Sequence, residues 1–248
     1  MMELDRTYSH VWTPKAYYVD SFPLCFLGAY NTAVRATVPH HRHILPLDYF
    51  PEHSLLEQNY LSIRSEALNI YKNYDLPKFH EVNAAFNRIS DDKWKVFVLK
   101  WYDGMIATNC EKCPITASLL EQCPNVHAAM FSILAPHKHI VPHRGPNTSS
   151  LRYHLGLAIP ASGDVFIRVN GERYDWKEGE GVLFDDCYEH EVYNNSDEVR
   201  IVLFLDVERP IPGTLGRFNR FLNTECGKFT QFVNDVNKKA EVMHDNYK

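Results

Sequence analysis

Residues 165–176 read VFIRVNGERYDW, and that stretch decides the class of fold. Two short β-branched and aromatic runs, Val165–Val169 and Glu172–Trp176, flank Asn170-Gly171, the dipeptide that supplies the two positive-φ residues of a tight type I′ turn. The stretch is a β-hairpin, and its neighbours extend the pattern both ways. Upstream, Ala128–Leu134 and Leu151–Ile159 read as strands. Downstream, Val182–Phe184 and Val199–Val207 do so too, the last almost continuously apolar, as a buried strand should be. Short strands with turn signals between them, from Val126 to about residue 208, predict a mainly β fold with flanking helices. The closed or double-sheet form that suits them is a jelly roll, the double-stranded β-helix.

Further from the hairpin, Trp94–Tyr102 (WKVFVLKWY) reads as another strand, ended by Asp103-Gly104 as a turn. Pro114–Gln122 reads as a short helix with Pro114 in its first turn. Leu56, Tyr60, Ile63, Ala67 and Ile70 recur at helical spacing, so Pro51–Asn73 is expected to form one amphipathic packing helix. Beyond Pro210 the chain turns helical and polar; Phe218, Phe221 and Leu222 are expected to dock, and Lys238–Lys248 to fray. The expected organisation is a single domain over 1–248: a helical or irregular extension (1–90), a β-core (94–210) and a helical tail (211–248).

Composition excludes several classes. A formal charge of −5 argues against a nucleic-acid binder, which would show a basic face. No apolar run approaches the roughly 18 residues that a membrane span requires, and Phe22–Tyr30 is too short. Six cysteines without a secretion signal read as reduced thiols, which predicts a cytoplasmic protein. Cys110-x-x-Cys113 lacks a second pair and reads as structural thiols, while His40-His41-Arg42-His43 reads as a solvated loop.

The candidates for chemistry are His143 and His190, 47 residues apart, each beside a strand. Neutral imidazole is a good ligand for first-row metals near pH 7, but two distant histidines are on their own a weak signal, which satisfied structural histidines explain better. Arg200, inside an apolar strand, faces a large desolvation cost unless an anion meets it. Its planar fork suits a bidentate carboxylate, from a ligand or from Asp185, Asp186 or Glu189. Arg152 and His154 alternate onto one face of their strand, and Ser132 is placed similarly on its own.

At these residues the chain resembles the aspartyl/asparaginyl β-hydroxylase family of iron- and 2-oxoglutarate-dependent dioxygenases. The matching segments are HRGPNTSSLRYHLGLAIP (143–160), WKEGEGVLFDDCYEHEVYN (176–194) and RIVLFLDVERP (200–210). The resemblance implies a jelly roll in which His143 and His190 hold Fe(II) and Arg200 clamps the distal carboxylate of 2-oxoglutarate. It places Ser132, Arg152 and His154 at positions that contact the cosubstrate or its neighbours. The implied reaction uses dioxygen to hydroxylate an unactivated C–H while 2-oxoglutarate becomes succinate. The β-carbon of an Asp or Asn residue, or of a related amino acid, is the first expectation for substrate. Lys100-Trp101-Tyr102, residues 124–134 and Asp206–Pro210 resemble instead the lipid A acyl-chain hydroxylases, which makes a lipid acyl chain the alternative. Gly145 stands where many such oxygenases carry a third, carboxylate ligand. The resemblance to the two-histidine branch leaves that position to water; a non-catalytic jelly-roll binding domain is the competing class.

Overall fold

Antiparallel strands build two facing sheets, and helices cover the outer face of one of them. The computed structural model describes residues 24–38, 42–83, 88–102, 104–145 and 148–223, and for 24–28 the backbone only. Along the chain come α1 (Leu24–Thr37), β1 (Ile44–Leu45), α2 (His53–Gln58), α3 (Tyr60–Asn73), α4 (Phe79–Val82), β2 (Trp94–Trp101), β3 (Gly104–Met105), α5 (Ala107–Cys110) and α6 (Pro114–Glu121). The strands β4 (Val126–Leu134), β5 (Lys138–His143), β6 (Ser150–Ala158), β7 (Asp164–Val169), β8 (Glu172–Asp175), β9 (Gly181–Phe184), β10 (His190–Asn195) and β11 (Arg200–Glu208) follow, then α7 (Gly213–Phe221).

The larger sheet has seven strands in the order β1-β9-β6-β11-β4-β2-β3, and the smaller has four in the order β5-β10-β7-β8. Alternation along each strand sends one set of side chains between the sheets. Val96, Val98, Met130, Val202 and Phe204 of the larger sheet meet Ile140, Val165, Ile167, Val169 and Val192 of the smaller, all buried. The opposite face of the larger sheet, with Phe97, Phe131, Leu155 and Leu203, is sealed by Leu56 of α2, Ile63, Ala67 and Ile70 of α3, and Leu119 and Leu120 of α6. Each such aliphatic or aromatic side chain contributes about 1.5–3 kcal/mol by leaving water. The layer arrangement is a jelly roll with helices packed on one side.

The hairpin at the centre of the sequence reading forms between β7 and β8, with Asn170 at φ 49° and Gly171 at φ 84°. Other expectations need correction. The Pro51–Asn73 helix is two helices, parted at Asn59 (φ −104°, ψ 12°), whose side-chain amide donates to the Leu55 carbonyl at 2.8 Å. That amide competes with the helical backbone ladder, as asparagine commonly does. The strand expected over Val199–Val207 runs from Arg200 to Glu208, so Arg200 opens it. Phe221 is 52% exposed and does not dock, whereas Phe218 meets buried Tyr30 edge-on with ring centroids 6.3 Å apart and Leu222 packs on the cluster of Tyr30, Val34, Val38 and Ile211; Asn219 is the buried residue of α7, donating to the Ser149 carbonyl at 3.1 Å. Asp103, His40, His41 and Lys238–Lys248 lie outside the described residues. His43 is half-buried, with Glu172 at 2.7 Å.

Candidate active site

His143 ends β5 and His190 opens β10, and the two are direct partners across that antiparallel pair. Their ring centroids lie 4.1 Å apart with planes inclined at 52°. That spacing lets one ion sit between them at the ordinary metal–imidazole bond length of about 2.0–2.1 Å. Each ring uses Nδ1 in the same way: His143 bonds the Val141 carbonyl at 2.8 Å, and His190 the Tyr188 carbonyl at 3.0 Å. A carbonyl can only accept, so Nδ1 carries the proton and Nε2 keeps its lone pair, the tautomer a metal ligand needs. Burial holds both imidazoles neutral, His143 well below the usual range with the neighbouring His190 adding to the shift, and His190 at about 4.

Arg200 sits at the start of β11 and is 1% exposed. Its guanidinium lies 4.9 Å from the centre of the Trp176 ring, and Nη1 makes only a long contact, 3.5 Å, to the Ser132 carbonyl. Its buried Nε has no partner among the described residues. The internal ion pair that the sequence allowed does not form. Asp185 pairs with Arg209 at 2.6 Å, Asp186 with Arg152 at 2.7 Å, and Glu189 with Arg144 at 3.7 Å. Burial alone pulls the Arg200 pKa down to about 9. A cation so placed awaits an anion.

His154 is 5% exposed, and neither ring nitrogen has a hydrogen-bond partner among the described residues. Phe184 and Phe204 pack on it with centroids 5.1 Å away. Burial, with Arg200 and Arg152 nearby, keeps it neutral. The Ser132 hydroxyl accepts the indole N–H of Trp94 at 3.0 Å, which leaves its own proton to donate. All six residues singled out in the sequence, Ser132, His143, Arg152, His154, His190 and Arg200, line one cavity. The two sheets divide them: His143 and His190 come from the smaller, the other four from the larger.

Arg152 differs from Arg200 in being held by two carboxylates, Asp186 and Asp206, each at 2.7 Å, with its guanidinium 4.1 Å from the centre of the Phe204 ring. Asp206 is 6% exposed, and burial raises its pKa to about 6, Asp186 adding to the shift. The signal for Asp206 was present in the sequence, since positions 200, 202, 204 and 206 alternate onto one strand face. Asp186 has a further relation that no pattern reveals. A side chain built on Gly145 would place its Cβ 2.3–2.4 Å from the Asp186 carboxylate, so that carboxylate fills the space the glycine leaves. The Gly145 N–H also donates to the Asp186 carbonyl at 2.7 Å.

This donor set fits a divalent first-row ion. Two neutral imidazoles present Nε2 side by side, and imidazole is a ligand type that first-row divalent ions take. Asp185, Asp186 and Cys187, whose donor atoms also lie within 4.8 Å of one another, do not make a comparable set. Each carboxylate is tied to an arginine, and burial holds the Cys187 thiol well above its ordinary pKa. Cys110, Cys113 and Cys123 are free thiols that burial likewise keeps protonated, Cys110 and Cys123 at about 11.

A double-stranded β-helix whose interior gathers imidazoles and an arginine places the molecule among jelly-roll proteins with an interior polar site. Residues 57–210 match the family model for aspartyl/asparaginyl beta-hydroxylase, and the chain belongs to that family. An ornithine lipid ester-linked acyl 2-hydroxylase from Rhizobium tropici is 36% identical over 75% of this chain and 67% of its own length. The human aspartyl/asparaginyl beta-hydroxylase is 35% identical over 62% of this chain, which spans only 21% of that protein. Aspartate beta-hydroxylase domain-containing protein 2 of Xenopus tropicalis is 35% identical over 66% of this chain and 48% of its own length. Among solved structures, the cupin domain of an XRE-family transcriptional regulator from Enterobacter cloacae covers 48% of this chain and all of its own, at 15% identity and a TM-score of 0.33. No helix among the described residues is long and apolar enough to cross a membrane.

Proposed function

We propose that this chain is an Fe(II)- and 2-oxoglutarate-dependent dioxygenase that hydroxylates an unactivated C–H bond. The observation that carries the reading is Arg200: a fully buried guanidinium, without a carboxylate among the described residues, in the cavity that His143 and His190 share. A dicarboxylate answers it. One carboxylate would meet the Arg200 fork and the Ser132 hydroxyl, leaving the 2-oxo acid end directed toward the two imidazoles.

His143 and His190 would hold the iron through Nε2, fixed in tautomer by the Val141 and Tyr188 carbonyls. His154, with both nitrogens unspent, would donate to or accept from the cosubstrate. Trp94, Ile140, Ile167, Phe184, Val192 and Phe204 wall the cavity and exclude water. When bound, the iron supplies the activation of dioxygen, coupled to oxidative decarboxylation of 2-oxoglutarate to succinate. The protein supplies position and dryness. The family points to the β-carbon of an Asp or Asn residue or a related amino acid, and the rhizobial relative points to an acyl chain.

Adding Fe(II), 2-oxoglutarate and dioxygen should give succinate above an iron-free control. Mass spectrometry for a gain of one oxygen across peptide, free amino-acid and lipid pools identifies the product. Gly145 sustains the rival reading, a binding domain without turnover, because no side chain there can complete a three-ligand set. That reading requires 2-oxoglutarate to bind with no succinate formed.

A further inference from the structure

Helix α7 (Gly213–Phe221) is amphipathic in the reverse sense of a packing helix. Its fully buried residue is polar: the Asn219 amide donates to the Ser149 carbonyl at 3.1 Å, and its side-chain carbonyl accepts the Tyr30 hydroxyl. Its aromatic residues look outward instead, Phe218 at 41% exposure, with one edge on Tyr30, and Phe221 at 52%. The helix is tightly seated all the same, since a Cβ on Gly216 would meet the Ile211 carbonyl oxygen at 1.8 Å. The other exposed large hydrophobic side chains among the described residues, Leu61, Ile115 and Val141, sit on three separate elements, whereas these two rings stand one turn apart. A solvated aromatic pair on a helix anchored by an asparagine is not explained by packing.

Charge is segregated on the same helix. Residues 213–222 hold two arginines and no acid, in a chain of formal charge −5. Arg220 is bound by Glu208 at 3.1 Å, whereas exposed Arg217 has no ion pair among the described residues. Positions 217, 218 and 221 share one flank of a helix, so this guanidinium and both rings point the same way. The two arginines also line an open cleft of about 680 Å³, with Val38, Tyr49 and Ile211 among its apolar walls; its acids, Asp48 and Glu208, belong to the body of the domain.

From this arrangement we infer that α7 is an interfacial docking helix for an anionic lipid surface. Phe218 and Phe221 enter the boundary between headgroups and acyl chains, and Arg217 meets the headgroup phosphates. Rings beside arginine hold a helix in the plane of a membrane without spanning it. The inference goes beyond the dioxygenase reading and does not need it, because metal-free protein can dock. Its bearing on the cavity comes through the chain. Asn219 and Arg209 donate to the Ser149 and Thr148 carbonyls at 3.1 and 2.6 Å, and Ser149 lies six residues from His143, at most about 20 Å of extended chain. With one helix diameter added, a docked α7 holds the imidazole pair within about 30 Å of the lipid.

Co-sedimentation of the metal-free full chain with vesicles tests this, using phosphatidylcholine alone and equal parts phosphatidylcholine and phosphatidylglycerol. Binding to the anionic vesicles should be at least about fivefold tighter than to the neutral ones, and should weaken as salt is raised. Arg217→Gln and Phe221→Ser should each weaken it about fivefold. Both side chains are exposed, and an unaltered urea midpoint verifies that each variant is folded. Phe221→Trp supplies a second reading: its added emission should shift to the blue on anionic vesicles. Protein that stays in solution, equal binding to the neutral vesicles, folded variants that bind as the native chain does, or an unshifted Trp emission each overturns the inference. So do native dimers that Phe221→Ser turns into monomers without any vesicle binding, which would assign the face to a second copy.

Discussion

The carboxylate of Asp186 stands where a side chain at Gly145 would have to begin, 2.3–2.4 Å from the Cβ position. The two residues are thus alternatives for one volume, and Arg152 holds the occupant at 2.7 Å. Gly145→Ala should destabilise the protein by about 1–3 kcal/mol, the usual cost of overpacking a tight site. Most of that loss should vanish when Asp186→Ala is added, giving a coupling energy of about 1 kcal/mol or more in a double-mutant cycle. Urea denaturation of the four proteins measures it, and additive effects would show that the two residues do not compete.

Two ligands leave no redundancy. Native protein loaded with Fe(II) or Co(II) is expected to retain about one ion per chain through desalting, and His143→Ala and His190→Ala to lose it. Elemental analysis decides. Stoichiometric retention by either variant would mean that a ligand lies elsewhere.

Arg200 gives an unusual expectation, because its removal takes away a buried charge rather than a contact. Arg200→Met should raise the stability of the ligand-free protein by about 1 kcal/mol or more. It should at the same time abolish the stabilisation that 2-oxoglutarate confers on the native form, about 2.7 kcal/mol at a hundredfold excess over Kd. Arg200→Lys keeps charge without the fork and should weaken, not remove, that response. Denaturation midpoints with and without 2-oxoglutarate check all three. A destabilised Arg200→Met would assign the guanidinium a structural partner.

The neutral histidines set the acid limit. His127 and His190 titrate at about 4 in the folded chain, against an ordinary value of 6.5. Between those values the unfolded chain binds protons that the folded one does not, so stability falls as pH drops, by roughly 1.4 kcal/mol per pH unit for each histidine. Asp206 acts with the opposite sign: its folded pKa of about 6 exceeds the ordinary 3.8, so its contribution is present at low pH and lost as pH rises through that interval. Two histidines outweigh one aspartate, and the depressed pKa values of His143 and His154 add to the majority. Metal-free protein should therefore lose stability steadily from pH 6.5 to 4.5. A flat or rising curve over that range would contradict the burial of these rings.

The hairpin, most of the larger sheet and the short helix at Pro114 were readable because their signals are local: turn dipeptides, alternation and apolar runs. The strands that carry the two histidines were harder to see. Lys138–His143 and His190–Asn195 are mixed in polarity, as one face of the smaller sheet is wet and stacks His139 on Tyr193 with ring centroids 4.0 Å apart. The break at Asn59 was hidden inside a continuous apolar periodicity. For the site, residue types and family segments named the six residues that line the cavity, and alternation placed Arg152 with His154. Pairing was not readable. Whether Arg200 or Arg152 takes the acidic partners depends on where 184–191 returns beside 143–145, a long-range contact that no spacing encodes.

The division of the site between the sheets has a mechanical meaning. The imidazoles ride on one sheet and Arg200, Ser132 and His154 on the other, so no covalent span sets their separation. The thickness of the filling does: Val202 and Phe204 on one side against Ile167 and Val192 on the other form a spacer whose volume fixes the reach of any molecule bridging both. Trimming or enlarging that spacer would change which chain length of dicarboxylate fits, with the imidazoles and the Arg200 guanidinium left in place.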